Sequence, residues 1–170
     1  MNPQLDLSTQ KWTLTGWHPY LWQLSKSMEF DEPQFPETDA IPATVPGSVQ
    51  LALKNAGLLP DWNCGLNARL CEWVENRHWI FQTELPETLK ENTGYELLCS
   101  GLDYSGWILI DDKVIAEFCG SDRDYVVPFK LSSSGKKHSL EIAFDTPPRF
   151  LGQFGRTSQM CLGKARFYYT

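Results

Sequence analysis

Trp107-Ile108-Leu109-Ile110-Asp111-Asp112-Lys113-Val114-Ile115-Ala116 is the stretch that decides the fold. Two short runs rich in β-branched residues flank a pair of aspartates, and such residues suit the two-residue turn of a β-hairpin. The same pattern repeats outward from this hairpin. Tyr95–Gly101 reads as a strand before it and Tyr125–Phe129 as a strand after it, with Pro128 assigning the latter to an edge or a bulge. His78–Leu85 supplies a further strand that stops at Pro86. His138–Phe144 alternates: Leu140, Ile142 and Phe144 share one side, and Ser139, Glu141 and Ala143 share the other, with Glu141 expected in water. Short strands with turn signals at this spacing specify an all-β sandwich or barrel.

Toward the N-terminus, Lys11–Leu14 and Tyr20–Leu24 each read as a short strand. Residues Phe30 to Pro46 carry Pro33, Pro36, Pro42 and Pro46 among acids, which excludes a helix or a central strand and leaves an extended linking stretch. One short helix is expected near residues 48–56. Ser48 is its N-cap, Val49, Ala52 and Leu53 form its apolar face, and Gly57 stops it. Asp61-Trp62-Asn63-Cys64-Gly65-Leu66-Asn67 is loop chemistry.

A length of 170 residues suits one domain, spanning 1–170, and the aromatic share of 13% suits a packed core. The net charge of −6 and the scattered lysines and arginines exclude a nucleic-acid partner, because phosphate binding needs clustered cations. No apolar run approaches 18 residues, so no membrane partner is expected, and the opening Met1–Asp6 does not read as a signal peptide. The five cysteines, Cys64, Cys71, Cys99, Cys119 and Cys161, contain no C-x-x-C spacing. They predict reduced, mostly buried thiols in a cytoplasmic protein, with no metal site and no cofactor.

The motifs of nucleophile elbows, zinc proteases, Walker loops and dinucleotide folds do not occur. Gly152–Ser158 is glycine-containing but is followed by no helix pattern. His18, His78 and His138 read as surface or packing residues rather than as bases. A glycosidase needs two rigidly opposed carboxylates, whereas Asp103, Asp111, Asp112, Glu117, Asp122 and Asp124 fall mostly in turns or on alternating faces, so no catalytic residue is assigned. A saccharide-binding surface is the remaining chemistry. Aromatic faces stack on sugar C–H groups while amides and carboxylates take the hydroxyls. Asp61, Asn63, Asn67, Glu72 and Trp73 have that composition, although Trp62 or Trp73 taken alone better suits a core or a domain interface.

Several segments together resemble the N-terminal domain of family 2 glycoside hydrolases. They are Val45-Pro46-Gly47-Ser48 through Leu53, Ala56-Gly57-Leu58-Leu59-Pro60-Asp61, Gly65-Leu66-Asn67, Glu72-Trp73-Val74, His78–Phe81 and Gly101–Trp107. Their order and spacing are most similar to the β-mannosidase and exo-glucosaminidase branch, and the match covers nearly the whole chain. The resemblance implies a jelly-roll, galactose-binding-domain-like sandwich that precedes an immunoglobulin-like domain and a (β/α)₈ barrel. Both catalytic glutamates belong to that barrel, so the chain is expected to be inactive alone, as the N-terminal fragment of a larger multidomain glycosidase. The implied partners are the barrel and the immunoglobulin-like domain of the same polypeptide, and a β-linked saccharide.

Two features depart from the branch. Ala68-Arg69 follow Asn67 where an acid is usual, and the strand-like Lys164–Thr170 ends where a Trp-Asp-Trp element would begin. Three functions compete on this reading: an accessory domain that shapes a sugar pocket, an independent carbohydrate-binding module, and a purely structural interaction domain.

Overall fold

The computed structural model describes residues 4–19, 21–22, 36–120, 122–132 and 137–146. Among the described residues eight strands form: β1 Trp12–Trp17, β2 Thr38–Ala43, β3 His78–Glu84, β4 Gly94–Cys99, β5 Ser105–Ile110, β6 Lys113–Cys119, β7 Tyr125–Lys130 and β8 Ser139–Phe144. Six of them make one antiparallel sheet in the order β2-β1-β3-β8-β5-β6, and β4-β7 make a second. The fold is therefore the expected all-β sandwich. Its pairings are nested: β5 with β6, β4 with β7, and β3 with β8. A ribbon folded at the β5–β6 hairpin and wrapped alternately between two sheets produces this sequence, and that is the jelly-roll principle.

The deciding hairpin forms as read. Asp111 and Asp112 adopt φ of 50° and 65°, the paired positive values of a type I′ turn. Asp111 also acts at long range: its Oδ1 accepts from the Ser139 N–H at 3.0 Å, and its Oδ2 lies 2.6 Å from His138 Nδ1. The turn of one hairpin thus clamps the start of β8.

Helix α1, Val49–Asn55, is likewise as expected. Ser48 Oγ accepts from the Leu51 N–H at 3.2 Å, and Val49, Ala52 and Leu53 are buried. Gly57, at φ 76°, ends it in a Schellman arrangement in which Leu58 N–H donates to Leu53 O and Gly57 N–H to Lys54 O. A 3-10 segment, Asn67–Asn76, which the sequence did not announce, carries Cys71 and Val74 inward.

The main core lies between the sheets and beneath α1 and the 3-10 segment, around Leu14, Leu53, Val74, Trp79, Ile108 and Phe144. At two points it needs bare backbone. A Cβ on Gly106 would sit 2.0 Å from the Ala143 carbonyl oxygen, and one on Gly16 would sit 2.6 Å from the Trp79 ring.

Four expectations are corrected. Part of the proline-rich stretch, Thr38–Ala43, is not a linker but an edge strand. Pro42 is tolerated there because, among the described residues, β2 pairs with β1 alone. Within Tyr20–Leu24, Leu21 and Trp22 are helical, with Leu21 N–H donating to His18 O; the other three positions lie outside the described residues. Glu141 is buried, not in water. The outer face of the six-stranded sheet has its own apolar cover of Trp22, Ile80, Leu109 and Ala143, flanked by Trp17 and Trp107. Glu141 stands in register between Gln82 and Leu109, and its Oε1 accepts from Gln82 Nε2 at 3.3 Å. Period-two alternation assigns a face, and a covered face is not a wet one. Lastly, of the four described cysteines, only Cys71 and Cys99 are buried, while Cys64 and Cys119 are exposed.

Candidate functional site

The five residues singled out by composition fall into two groups joined by the 3-10 segment. The first is a knot at the end of α1. Asp61 Oδ1 accepts from the Asn63 N–H at 3.1 Å, its Oδ2 lies 3.3 Å from Lys54 Nζ, and its carbonyl accepts from Asn67 Nδ2 at 3.0 Å. The Asn63 N–H, with Lys54 second, holds the Asp61 carboxyl below the ordinary carboxylate range. Lys54 also lies over the Trp62 ring, 4.9 Å from its centroid. Asp61 and Asn67 thus spend much of their hydrogen-bonding capacity shaping the loop, while the Asn63 side chain faces outward.

The second group surrounds Trp73. This half-buried ring rests on Trp79, with centroids 5.8 Å apart, and the Arg77 guanidinium carbon lies 6.0 Å from the Trp73 ring centroid. Arg77 grips Glu37 in a bidentate pair along one guanidinium edge, with Nη2 2.9 Å from Oε1 and Nε against Oε2, while Nη1 donates to the Asn76 carbonyl at 3.0 Å. His18 Nε2 stands 3.4 Å from Glu37 Oε2. The hydrogen bond from Arg77 holds the Glu37 carboxyl low. Glu72 is half-exposed on the same 3-10 segment, and its backbone carbonyl accepts from Asn76 Nδ2 at 3.4 Å. Lys54, Glu37, Arg77 and His18 were missed by the sequence reading. Glu37 and Arg77 are 40 positions apart and meet because β2 pairs with β1 and β1 with β3, which is not a local signal.

At the same end of the large sheet, an open depression of about 280 Å³ is lined by Ser105, Trp107, Glu117, Cys119, Arg123 and Asp145, among others. Behind it lies His78, fully buried. The Trp22 Nε1–H donates to its Nδ1 at 2.7 Å, its Nε2 is 3.4 Å from Asp145 Oδ1, and Trp107 stacks on the imidazole at 6.0 Å. Burial pushes the His78 pKa down, while Asp145 pulls it up less strongly. A neutral imidazole that accepts at Nδ1 carries its proton on Nε2, toward Asp145. With Nδ1 taken by Trp22 and Nε2 enclosed beside Asp145, the fully buried ring is a packing residue and not a base. His138, buried against Asp111, has the same character. Nearby, burial raises the Asp103 carboxyl and Asp122 raises it further. Among the described residues, no cluster of three His, Cys, Asp or Glu side chains is arranged to hold a metal ion, and no helix is long and apolar enough to cross a membrane.

A two-sheet jelly roll with a capped helical flank defines a galactose-binding-domain-like module. The chain belongs to the glycosyl hydrolase 2 galactose-binding domain-like family, whose model matches residues 22–159. It is 30% identical over 98 residues to a β-mannosidase A of Emericella nidulans, covering 57% of this chain and 10% of that protein. It is 25% identical over 125 residues to a β-mannosidase B of Thermothelomyces thermophilus, covering 72% of this chain and 15% of that protein. Among solved structures, a β-D-mannosidase from Dictyoglomus thermophilum superposes with a TM-score of 0.57 at 22% identity, covering 81% of this chain and 15% of that one. A β-galacturonidase from Eisenbergiella tayi gives 0.52 at 14% identity, covering 85% and 20%. The chain therefore spans a small part of the length of each of these relatives.

Proposed function

We propose that this chain, residues 1–170, is the non-catalytic N-terminal accessory domain of a β-mannosidase-like glycosidase. It packs on the catalytic barrel of the same polypeptide and helps to wall the sugar pocket. The observation that carries this reading is the apolar surface on the segment that holds the candidate residues. Leu58, Leu66 and Leu70 are 48%, 70% and 62% exposed, and Leu51 on α1 is 41% exposed. Four large exposed leucines within twenty residues, interleaved with Asp61, Asn63 and Asn67, form a surface that favours a protein neighbour. Asn63, Glu72 and Trp73 would then meet the sugar from the domain side, with Asp61 and Asn67 fixing the loop. The free thiols agree with a reducing, cytoplasmic setting.

The isolated chain should hydrolyse no chromogenic β-mannoside, β-glucoside, β-galactoside or β-glucuronide. It should also bind mannose, glucosamine and galactose more weakly than about 1 mM by titration calorimetry, because a one-sided wall cannot enclose a polar ligand. Turnover abolished by a single Asp or Glu substitution in this chain would overturn the reading. Tighter binding that Trp73→Ala removes would make the chain an independent carbohydrate-binding module instead.

A further inference from the structure

The outer face of the large sheet changes character along β5. At Leu109 it belongs to the apolar cover shared with Trp22, Ile80 and Ala143. Toward the start of β5 that cover gives way to the depression lined by Ser105, Trp107, Glu117, Cys119, Arg123 and Asp145. Strand register explains why these side chains meet. Trp107 stands opposite Glu117, and Ser105 opposite Cys119, in the β5–β6 ladder, and residues two apart share a face. Asp145, one residue beyond the core residue Phe144, joins them, and its N–H donates to Ser105 O at 2.9 Å. Arg123 enters from the turn between β6 and β7, where its Nε donates to the Tyr125 hydroxyl at 3.0 Å and its Nη2 to the Cys119 carbonyl.

We propose that this depression binds a single neutral pyranose unit, whose C–H groups rest against Trp107 and whose hydroxyls bridge Arg123 to Glu117 and Asp145. Three properties of the lining select that ligand. Its aromatic member is already fixed: the half-buried Trp107 stacks on His78 at 6.0 Å and leans on Trp22 at 5.4 Å, so binding costs it little rotamer freedom. Its polar members carry both signs. Arg123 is held through two nitrogens, and its Nη1 bonds to no described residue. Asp145 Oδ1 accepts from the Thr146 N–H at 2.7 Å, while the exposed Glu117 bonds to no described residue. A hydroxyl both donates and accepts, so a polyhydroxy ligand satisfies the guanidinium and the carboxylates together. A carboxylate ligand would be repelled by two acids, and an ammonium ligand by Arg123. Lastly, a volume of about 280 Å³, just under the usual range of small-molecule sites, suits one sugar ring and not a chain of them. The site shares no residue with the Asn63, Glu72 and Trp73 surface and asks nothing of a barrel, so it goes beyond the accessory-domain reading and does not depend on it.

The test is an amide NMR titration of the 170-residue chain with methyl β-D-mannopyranoside, a neutral pyranoside with a fixed anomeric centre. Saturable shifts are expected at the Ser105, Trp107, Glu117 and Arg123 amides and at the Trp107 indole N–H. Because the site is open on one side, half-saturation should fall near about 10 mM, weaker than the 1 mM bound that separates an accessory domain from an independent module. Glu117→Ala should raise that constant by about fivefold or more through the lost charged hydrogen bond, with the urea midpoint unchanged. No saturable shift at these positions by roughly 200 mM sugar, about twenty times the expected constant, would overturn the proposal. So would shifts confined to Asp61–Trp73, or a constant that Glu117→Ala leaves unaltered. Equal shifts at the same positions with methylammonium chloride or sodium acetate would also overturn it, by marking a site for charge and not for a sugar. The titration stands on the unaltered chain, so it decides the matter even if the variant folds poorly.

Discussion

Phe144→Ala probes the centre of the sandwich. Phe144 is 1% exposed, near the end of the central strand β8. Its ring makes edge-on contacts with Phe81 at 5.9 Å and Phe118 at 5.4 Å, one from β3 and one from β6. Truncating a buried phenylalanine costs roughly 3–5 kcal/mol through lost transfer energy and the cavity left behind. Each aromatic pair contributes about 0.5–1.5 kcal/mol beyond burial, which sets this site toward the top of that range, at about 4–5 kcal/mol. With a urea m-value of about 2 kcal/mol/M, the midpoint should fall by about 2 M. That loss approaches the whole stability of many domains, so Phe144→Leu should be measured beside it, with an expected cost of about 1–1.5 kcal/mol. Leu98→Ala, at a position 63% exposed on β4, should stay within about 0.5 kcal/mol. A Phe144→Ala loss below about 1.5 kcal/mol, or one equal to that of Leu98→Ala, would refute the placement of this ring between the three strands.

Gly106→Ala should destabilise by about 2 kcal/mol in the same assay, because the new methyl meets the Ala143 backbone at 2.0 Å, while Gly94→Ala, with only the Lys130 side chain at 3.9 Å, should cost far less. Removing the α1 cap with Ser48→Ala should cost about 1 kcal/mol, and Ser48→Asp should retain most of it. His78 has a lowered folded-state pKa, so the unfolded chain takes up its proton first as pH falls. Stability should be fully present above about 6.5 and decline below it toward the folded pKa; urea midpoints from pH 7.5 to 5 read this slope, and His78→Gln should remove this residue's share of it. A pH-independent midpoint across that range would contradict the buried neutral imidazole.

What the sequence made legible was local. The Asp111-Asp112 turn and the Ser48-to-Gly57 helix are specified by a few neighbouring residues, and both form as read. The fates of Glu141 and Glu37 depended on contacts that no local window contains. Glu141 lies under an apolar cover that draws on Trp22, and Glu37 meets Arg77 only through two successive strand pairings. Prolines were correctly read as excluding a central strand, but an edge strand satisfies the same rule, and β2 is one. For the candidate site, residue types singled out one stretch of loop. They could not divide it into a knot around Asp61 and a separate aromatic–cation group around Trp73, because Lys54 and Arg77 reach it from outside.

The two-stranded sheet has a consequence for the life of the chain before it is fully assembled. Leu98 of β4 faces Val126 of β7 across the ladder, and both are more than half exposed. The run Leu97-Leu98-Cys99 has no charge of its own, and Glu96 is the nearest residue that discourages sideways stacking of another molecule. During synthesis β4 and β7 emerge well before any later polypeptide could shield them, so this hairpin-like pair is the point at which newly made chains would adhere to one another. Keeping concentration and temperature low during production, or adding a second acid at Leu98, acts on that hazard without touching the core.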